Sequence, residues 1–236
     1  MSESYLLLWL EAPLQSWGYD SKFGRRDSLD FPTKSGVLGL LCCARGAAGE
    51  QAEWLQCWTD RDMQVEAYAP TDQHGKAMPR LPLIRDFHMV GSGYDDQDPW
   101  ENLLIPKTSD GKKAVGGGTK MTYRYYLQDM AFAVAIQGSE SELQAIAEAL
   151  QNPVWDLYLG RKNCAPTEFI FQGIYSDAQQ ALEKARQLAE EKRRCPVFRV
   201  LQGEHEGEVL TLNDVPLQFG EHKLYCDRRV TVLRVE

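Results

Sequence analysis

The chain lacks most of the signatures by which a sequence declares its chemistry. No apolar run approaches the roughly 18 residues of a membrane helix. The first, at residues 5–10, is too short for a secretion-signal core and follows no basic leader. A cytoplasmic protein is expected, with no membrane partner. The six cysteines form no CxxC pair, the four histidines fall at no ligand spacing, and neither HExxH nor GxSxG occurs. No metal, no cofactor and no catalytic residue set is therefore expected, and the cysteines read as reduced thiols.

Excess positive charge is missing as well. A formal net charge of −8 argues against a protein that coats nucleic acid without selectivity, so any nucleic-acid site must be local. What is present is ordinary globular material: 236 residues, 43% of them hydrophobic and 25% charged, enough for one large domain or two small ones.

Residues 5–10, Tyr5-Leu6-Leu7-Leu8-Trp9-Leu10, predict a strand covered on both faces. Pro32 biases Phe31 away from helical geometry, and Thr33 or Ser35 can cap the helix that follows. Its apolar positions Val37, Leu40, Leu41 and Ala44 fall three and four apart, a buried stripe. Lys34, the Ser35 hydroxyl and the first-turn amides also make a seat for an anion such as phosphate. A second helix over 50–59 and a strand over 63–69 come next.

Residues 70–122 are broken up by proline and glycine. Within them 83–90 reads as a strand and 95–101 as an acidic turn. Over 105–124, Lys107, Lys112, Lys113, Lys120 and Arg124 face the single acid Asp110, a local excess in an acidic chain. The Gly116–Gly118 run fails the P-loop pattern, so no ATPase follows. Order returns with strand patterns over 122–136 and a helix over 139–150 that opens on a Ser139–Glu142 capping box. Gly160-Arg161-Lys162 predicts a tight turn that presents amides and charge at one point. A strand over 169–175 follows, then a helix to Lys192-Arg193-Arg194, and strands over 197–201, 209–212 and 223–235.

Cations and aromatics thus arrive from separate segments: Trp17, Arg25, Arg26, Lys34, Arg85, Lys107, Lys120, Tyr123, Arg124, Arg161 and Lys162. Single-stranded RNA recognition uses such a mixture, cations along the phosphates and aromatic faces against unstacked bases. Solvated surface charge explains the same residues until they are shown to converge. Strand alternation puts Ile84, Asp86 and His88 on one face and Arg85 and Phe87 on the other. His88 would be a sensible base for RNA cleavage, although a lone histidine more often makes a structural hydrogen bond.

Several blocks carry a resemblance. Leu6-Leu7-Leu8-Trp9-Leu10-Glu11-Ala12-Pro13-Leu14-Gln15-Ser16-Trp17-Gly18 comes first, and Phe31-Pro32-Thr33-Lys34-Ser35-Gly36-Val37-Leu38-Gly39-Leu40-Leu41 second. Leu83-Ile84-Arg85-Asp86-Phe87-His88, Tyr125-Tyr126-Leu127-Gln128-Asp129 and Tyr158-Leu159-Gly160-Arg161-Lys162-Asn163-Cys164 follow in order. Together they resemble the CasD family, the RAMP-superfamily subunit of the type I-E CRISPR surveillance complex, Cascade.

The resemblance implies an α+β fold: a ferredoxin-like (RAMP/RRM-like) palm over 1–69 and 123–236 with a C-terminal β-rich extension, and a β-hairpin thumb inserted at 70–122. It implies a non-catalytic subunit that caps the 5′ handle of crRNA in antiviral defence. Lys34, Ser35, Arg161 and Lys162 would hold handle phosphates, and Lys107, Lys120 and Arg124 would lie on or near the thumb. The implied partners are crRNA, the Cascade backbone subunit, the large PAM-reading subunit and, through the assembled complex, target DNA. Related type I-C proteins cleave precursor RNA, so a metal-independent endoribonuclease centred on His88, Tyr123 or Lys120 is the alternative. A protein-only scaffold is the third reading.

Overall fold

The apolar run near the N-terminus becomes β1 (Glu3–Glu11), and the computed structural model builds its main sheet around it. The structure describes residues 3–19, 21, 23–91, 100, 103, 105, 107, 108, 110–112 and 119–235. The Gly116–Gly118 run and, Trp100 apart, the acidic turn expected over 95–101 lie outside them.

Leu6, Leu8 and Leu10 enter one core, while Leu7 and Trp9 enter another on the opposite face. All five are wholly buried, each contributing roughly 1.5–3 kcal/mol. This two-sided burial is what the continuous apolar run predicts.

After β1 come β2 (Leu14–Gln15), β3 (Arg25–Arg26), α1 (Lys34–Ala44), α2 (Ala52–Gln56) and β4 (Met63–Pro70). Then follow β5 (Ile84–Val90), β6 (Lys120–Gln128), β7 (Ala131–Ser139), α3 (Glu140–Gln151) and β8 (Phe171–Tyr175). The chain closes with α4 (Ala178–Glu191), β9 (Arg194–Gln202), β10 (Glu208–Gln218) and β11 (Leu224–Arg234). Seven strands form one sheet in the order β10-β11-β9-β4-β7-β1-β8, every neighbouring pair antiparallel. The architecture is mixed α+β and mostly sheet, as expected.

Helices α1 and α3 cover one face of this sheet. Val37, Leu38, Leu41, Leu143 and Ile146 meet Leu6, Leu8 and Phe132 there. On the other face Ala181, Leu182, Ala185 and Ala189 of α4 lie against Leu7, Trp9, Tyr68 and Ala133. Small residues let α4 sit close to the strands, and Glu66, wholly buried in β4, is held there by two nitrogens of Arg186, each at 2.9 Å. The middle of the sheet is therefore covered on both sides.

Caps form where the sequence places them. Thr33 Oγ1 accepts from the Gly36 amide at 3.1 Å, Ser139 and Glu142 make the capping box, and Asp177 Oδ1 accepts from Gln180 N at 2.9 Å. Two expectations need correction. The second helix spans only Ala52–Gln56, because Gln51 before it is left-handed at φ 53° and offers no side-chain cap. The 192–194 cations do not end a helix together: α4 stops at Glu191, Arg193 turns at φ 54°, and Arg194 opens β9, buried between Glu11 and Asp129 at 2.9 Å each.

A second, smaller sheet stands apart from the first. β6 pairs antiparallel with β5, from Ile84↔Tyr126 to Val90↔Lys120, and with β2, and in parallel with β3. β6 continues unbroken from Lys120 to Gln128, so the 122/123 division of the expected insertion cuts through a strand.

Candidate nucleic-acid interface

The β5–β6 ribbon sorts its side chains by alternation. On one face Arg85, Phe87, Tyr123 and Tyr125 stand together: the Phe87 and Tyr123 rings lie 5.4 Å apart, and the Arg85 guanidinium is 5.4 Å from the Tyr123 centroid. Arg25, from the neighbouring β3, places its guanidinium 5.0 Å from the Tyr125 ring and donates to Asp27 Oδ1 at 2.7 Å. Phe87 and Tyr123 remain about half exposed. Rings backed by arginines in this way can stack bases. The opposite face carries Asp86, His88, Thr122, Arg124 and Lys120. His88 Nε2 bonds the Asp86 carboxylate, and Arg124 Nε donates to Thr122 Oγ1 at 3.3 Å.

Arg161 ties the turn at 158–164 to this ribbon. Its guanidinium donates to Tyr125 O at 3.2 Å and Arg26 O at 2.8 Å and lies 4.6 Å from the Tyr126 ring centroid. Those are neutral partners, so its charge stays in the site. Gly160 before it has φ 92°, and a Cβ there would fall 1.7 Å from Ser16 O. Only glycine lets the turn pass that close to the backbone of the 14–17 segment.

This turn also walls two adjacent grooves beside α1. The narrower, about 190 Å³, is lined by Ser35, Gly36, Gly39, Leu40, Cys43, Tyr158 and Gly160. The wider, about 880 Å³, shares Cys43 and Tyr158 with it and adds Trp155, Asp156 and the exposed Lys162. Ser35 and Lys162 thus line neighbouring grooves that share the Cys43 and Tyr158 walls.

Two of the expected contact residues are elsewhere. Lys34 is wholly buried: its Nζ donates to Thr59 O at 2.8 Å and Arg61 O at 2.7 Å. Burial, with Arg228 adding, pushes its pKa down to about 8. Its backbone amide donates to Asp214 Oδ2 at 2.7 Å, and Arg228 clamps the same carboxylate at 2.7 and 2.9 Å. The anion seat at the start of α1 therefore has an occupant, a carboxylate from β10. Physically the sequence logic was right and the ligand was wrong: the helix start wants negative charge, and the chain supplies its own.

Trp17 is the second correction. It is 1% exposed, donates from Nε1 to Gln15 Oε1 at 3.2 Å, and packs on α1 where a Cβ on Gly36 would meet its ring at 2.8 Å. It supports the groove from beneath and offers no face to a base. Arg26 is half-buried, its carbonyl serving Arg161, while Lys107 and Lys120 are exposed. Phe87, Tyr125, Trp155 and Tyr158 were not singled out from sequence as contact residues. The alternation that placed Arg85 with Phe87 was enough to find Phe87, Tyr125 joins that face only through the cross-strand register, and nothing local marked the groove.

A family model described as CRISPR-associated protein (Cas_Cas5) matches residues 5–231. The chain belongs to this Cas5 family. It is 32% identical over 186 residues to the CRISPR system Cascade subunit CasD of Escherichia coli (strain K12), covering 76% of this chain and 75% of that one. Its fold is similar to a chain of a CRISPR RNA-guided surveillance complex, with a TM-score of 0.70 and 28% identity, covering 98% of this chain and 90% of the other. A second solved Cas protein, at 24% identity and a TM-score of 0.60, shares the fold over 98% of this chain and 94% of its own. The likeness to CasD drawn from the ordered sequence blocks holds. Among the described residues of this Cas5 protein, no helix is long and apolar enough to cross a membrane.

Proposed function

We propose that this Cas5 protein is the subunit of a type I-E Cascade complex that holds the 5′ handle of crRNA and helps assemble the RNA-guided surveillance particle. One arrangement carries the reading: two adjacent grooves beside α1, lined by Ser35, Gly160 and Lys162, are joined through the Arg161 guanidinium to a ribbon that presents arginines and exposed rings. The face of a sheet, where RRM-type modules stack bases, is not available in the middle of this one, because α4 covers it. RNA is left with the grooves and the ribbon.

The palm is read as ferredoxin-like. Support comes from the run β1-α1-β4-β7-α3-β8, whose strands lie in the order β8-β1-β7-β4 with both helices on one face. β9 to β11 extend the same sheet, and the thumb is built on the β5–β6 ribbon. The partners are crRNA, the backbone and large PAM-reading subunits, and target DNA through the assembled complex.

The test is binding of labelled handle RNA to Lys162→Glu and to Arg85→Glu across a salt series. Each is expected to weaken binding and lower the salt slope by about one; wild-type affinity and slope in both would reject the site. The subunit is taken as non-catalytic. The endoribonuclease alternative draws on the His88–Asp86 pair, which shares a ribbon face with Lys120 and Arg124 while Tyr123 lies on the other. Metal-free cleavage of repeat RNA that disappears in His88→Ala would put that reading first.

A further inference from the structure

The wider groove holds a feature that phosphate binding does not use. Trp155 is 45% exposed and its neighbour Val154 is 63% exposed, apolar surface that folding leaves unburied beside a cation. The stretch is pinned to the end of α1: Val154 N donates to Ala44 O at 2.9 Å, and the Cys43 thiol donates to Asp156 O at 3.3 Å. Gly46 leaves room for this contact, since a Cβ there would meet Val154 at 2.6 Å. The indole is consequently presented on fixed backbone at the groove wall, which lowers the entropy lost when a flat ligand stacks on it.

Two further points choose the ligand. Lys162 is the single cation of this lining and Asp156 its single carboxylate, so the groove takes one phosphate and disfavours a second. Across the shared Cys43 and Tyr158 walls lies the narrower groove along Ser35 and Gly39, room beside the slot for the neighbouring nucleotides of a strand.

We infer that Trp155, Tyr158 and Lys162 form a slot for one unpaired nucleotide, its base stacked on the Trp155 indole and its phosphate on the Lys162 ammonium. The inference rests on the RNA reading above and adds to it that one base of the bound strand is splayed out and held by stacking. A protein partner inserting a side chain here would need no RNA, and the experiment separates the two.

Handle RNAs carrying 2-aminopurine at each position in turn are titrated with the full chain. One position is expected to be quenched on binding. Trp155→Ala should abolish that quench and weaken binding roughly 5- to 100-fold, the span of a lost base–aromatic stack, whereas Trp155→Phe keeps most of both. An abasic nucleotide at that position should weaken wild type similarly and Trp155→Ala no further. Because Trp155 is half exposed, its unfolding midpoint serves as the control and should stay near wild type. If Lys162→Glu weakens binding while Trp155→Ala leaves affinity and quench unchanged, the slot is refuted and the RNA reading stands. If wild type does not bind handle RNA, both fall.

Discussion

Replacing Asp214 by alanine tests the most consequential internal contact. Asp214 and Arg228 are almost wholly buried, with side chains 2% and 7% exposed, and the carboxylate also receives the Lys34 amide. Arg228 Nη1 already has no hydrogen-bond partner among the described residues. Losing the carboxylate leaves a buried guanidinium uncompensated, which costs about 3–5 kcal/mol, and the lost helix cap adds about 1 kcal/mol. At about 2–4 °C per kcal/mol for a chain of this size, the midpoint should fall by roughly 10–20 °C. Urea and thermal melts followed by circular dichroism measure both. Asp214→Ala/Arg228→Met should recover most of the loss, because no unpaired charge then remains inside. A single variant melting within about 2 °C of wild type, a small part of the loss expected from this pair, would refute the reasoning, as would a double variant no better than the single.

Lys34→Met gives a pH signature. The buried ammonium is held with its pKa lowered to about 8, so its destabilising effect is complete below that pH and fades towards the ordinary lysine value of about 10.4. Urea midpoints should show wild type gaining on Lys34→Met as pH rises from 8 to 10, and a constant difference would count against this. The folded variant should bind handle RNA within about twofold of wild type with the same salt slope, whereas a lost phosphate contact would reduce the slope by about one. Gly160→Ala must displace the turn from Ser16 O, so both melting temperature and handle affinity should drop; wild-type values would mean the close approach is not needed. Glu66→Gln leaves Arg186 and Arg199, whose guanidinium ends reach solvent, facing a neutral group, and should cost about 1–3 kcal/mol in urea unfolding. A loss indistinguishable from zero would show that the Glu66 charge is not what holds these arginines to the sheet.

Local patterns carried much of this fold. The run at 5–10 declared a strand with two covered faces, the 84–90 alternation sorted Arg85 and Phe87 from Asp86 and His88, and the capping box at Ser139 marked where α3 begins. Each depends on residues within a few positions of one another. Lys34 and Trp17 were misread for the opposite reason. A lysine at a helix start and a tryptophan in a polar connection look the same whether they meet solvent or the core. What decides is a carboxylate 180 positions away in one case and the packing of α1 in the other. The groove at Trp155 was illegible for a similar reason, since it exists only where the 152–165 connection lies against α1.

The bond between Lys34 and Asp214 also bears on how the protein is made. At roughly 5–20 residues per second, synthesis of the intervening chain occupies about 10–40 s. Through that interval α1 can form as a helix, but its first amide lacks its carboxylate. The start of α1 is completed by a strand, β10, that arrives late. A nascent chain stalled before residue 214 should therefore be a better client for chaperones, and a better substrate for proteases, than its nearly complete set of helices and central strands would indicate.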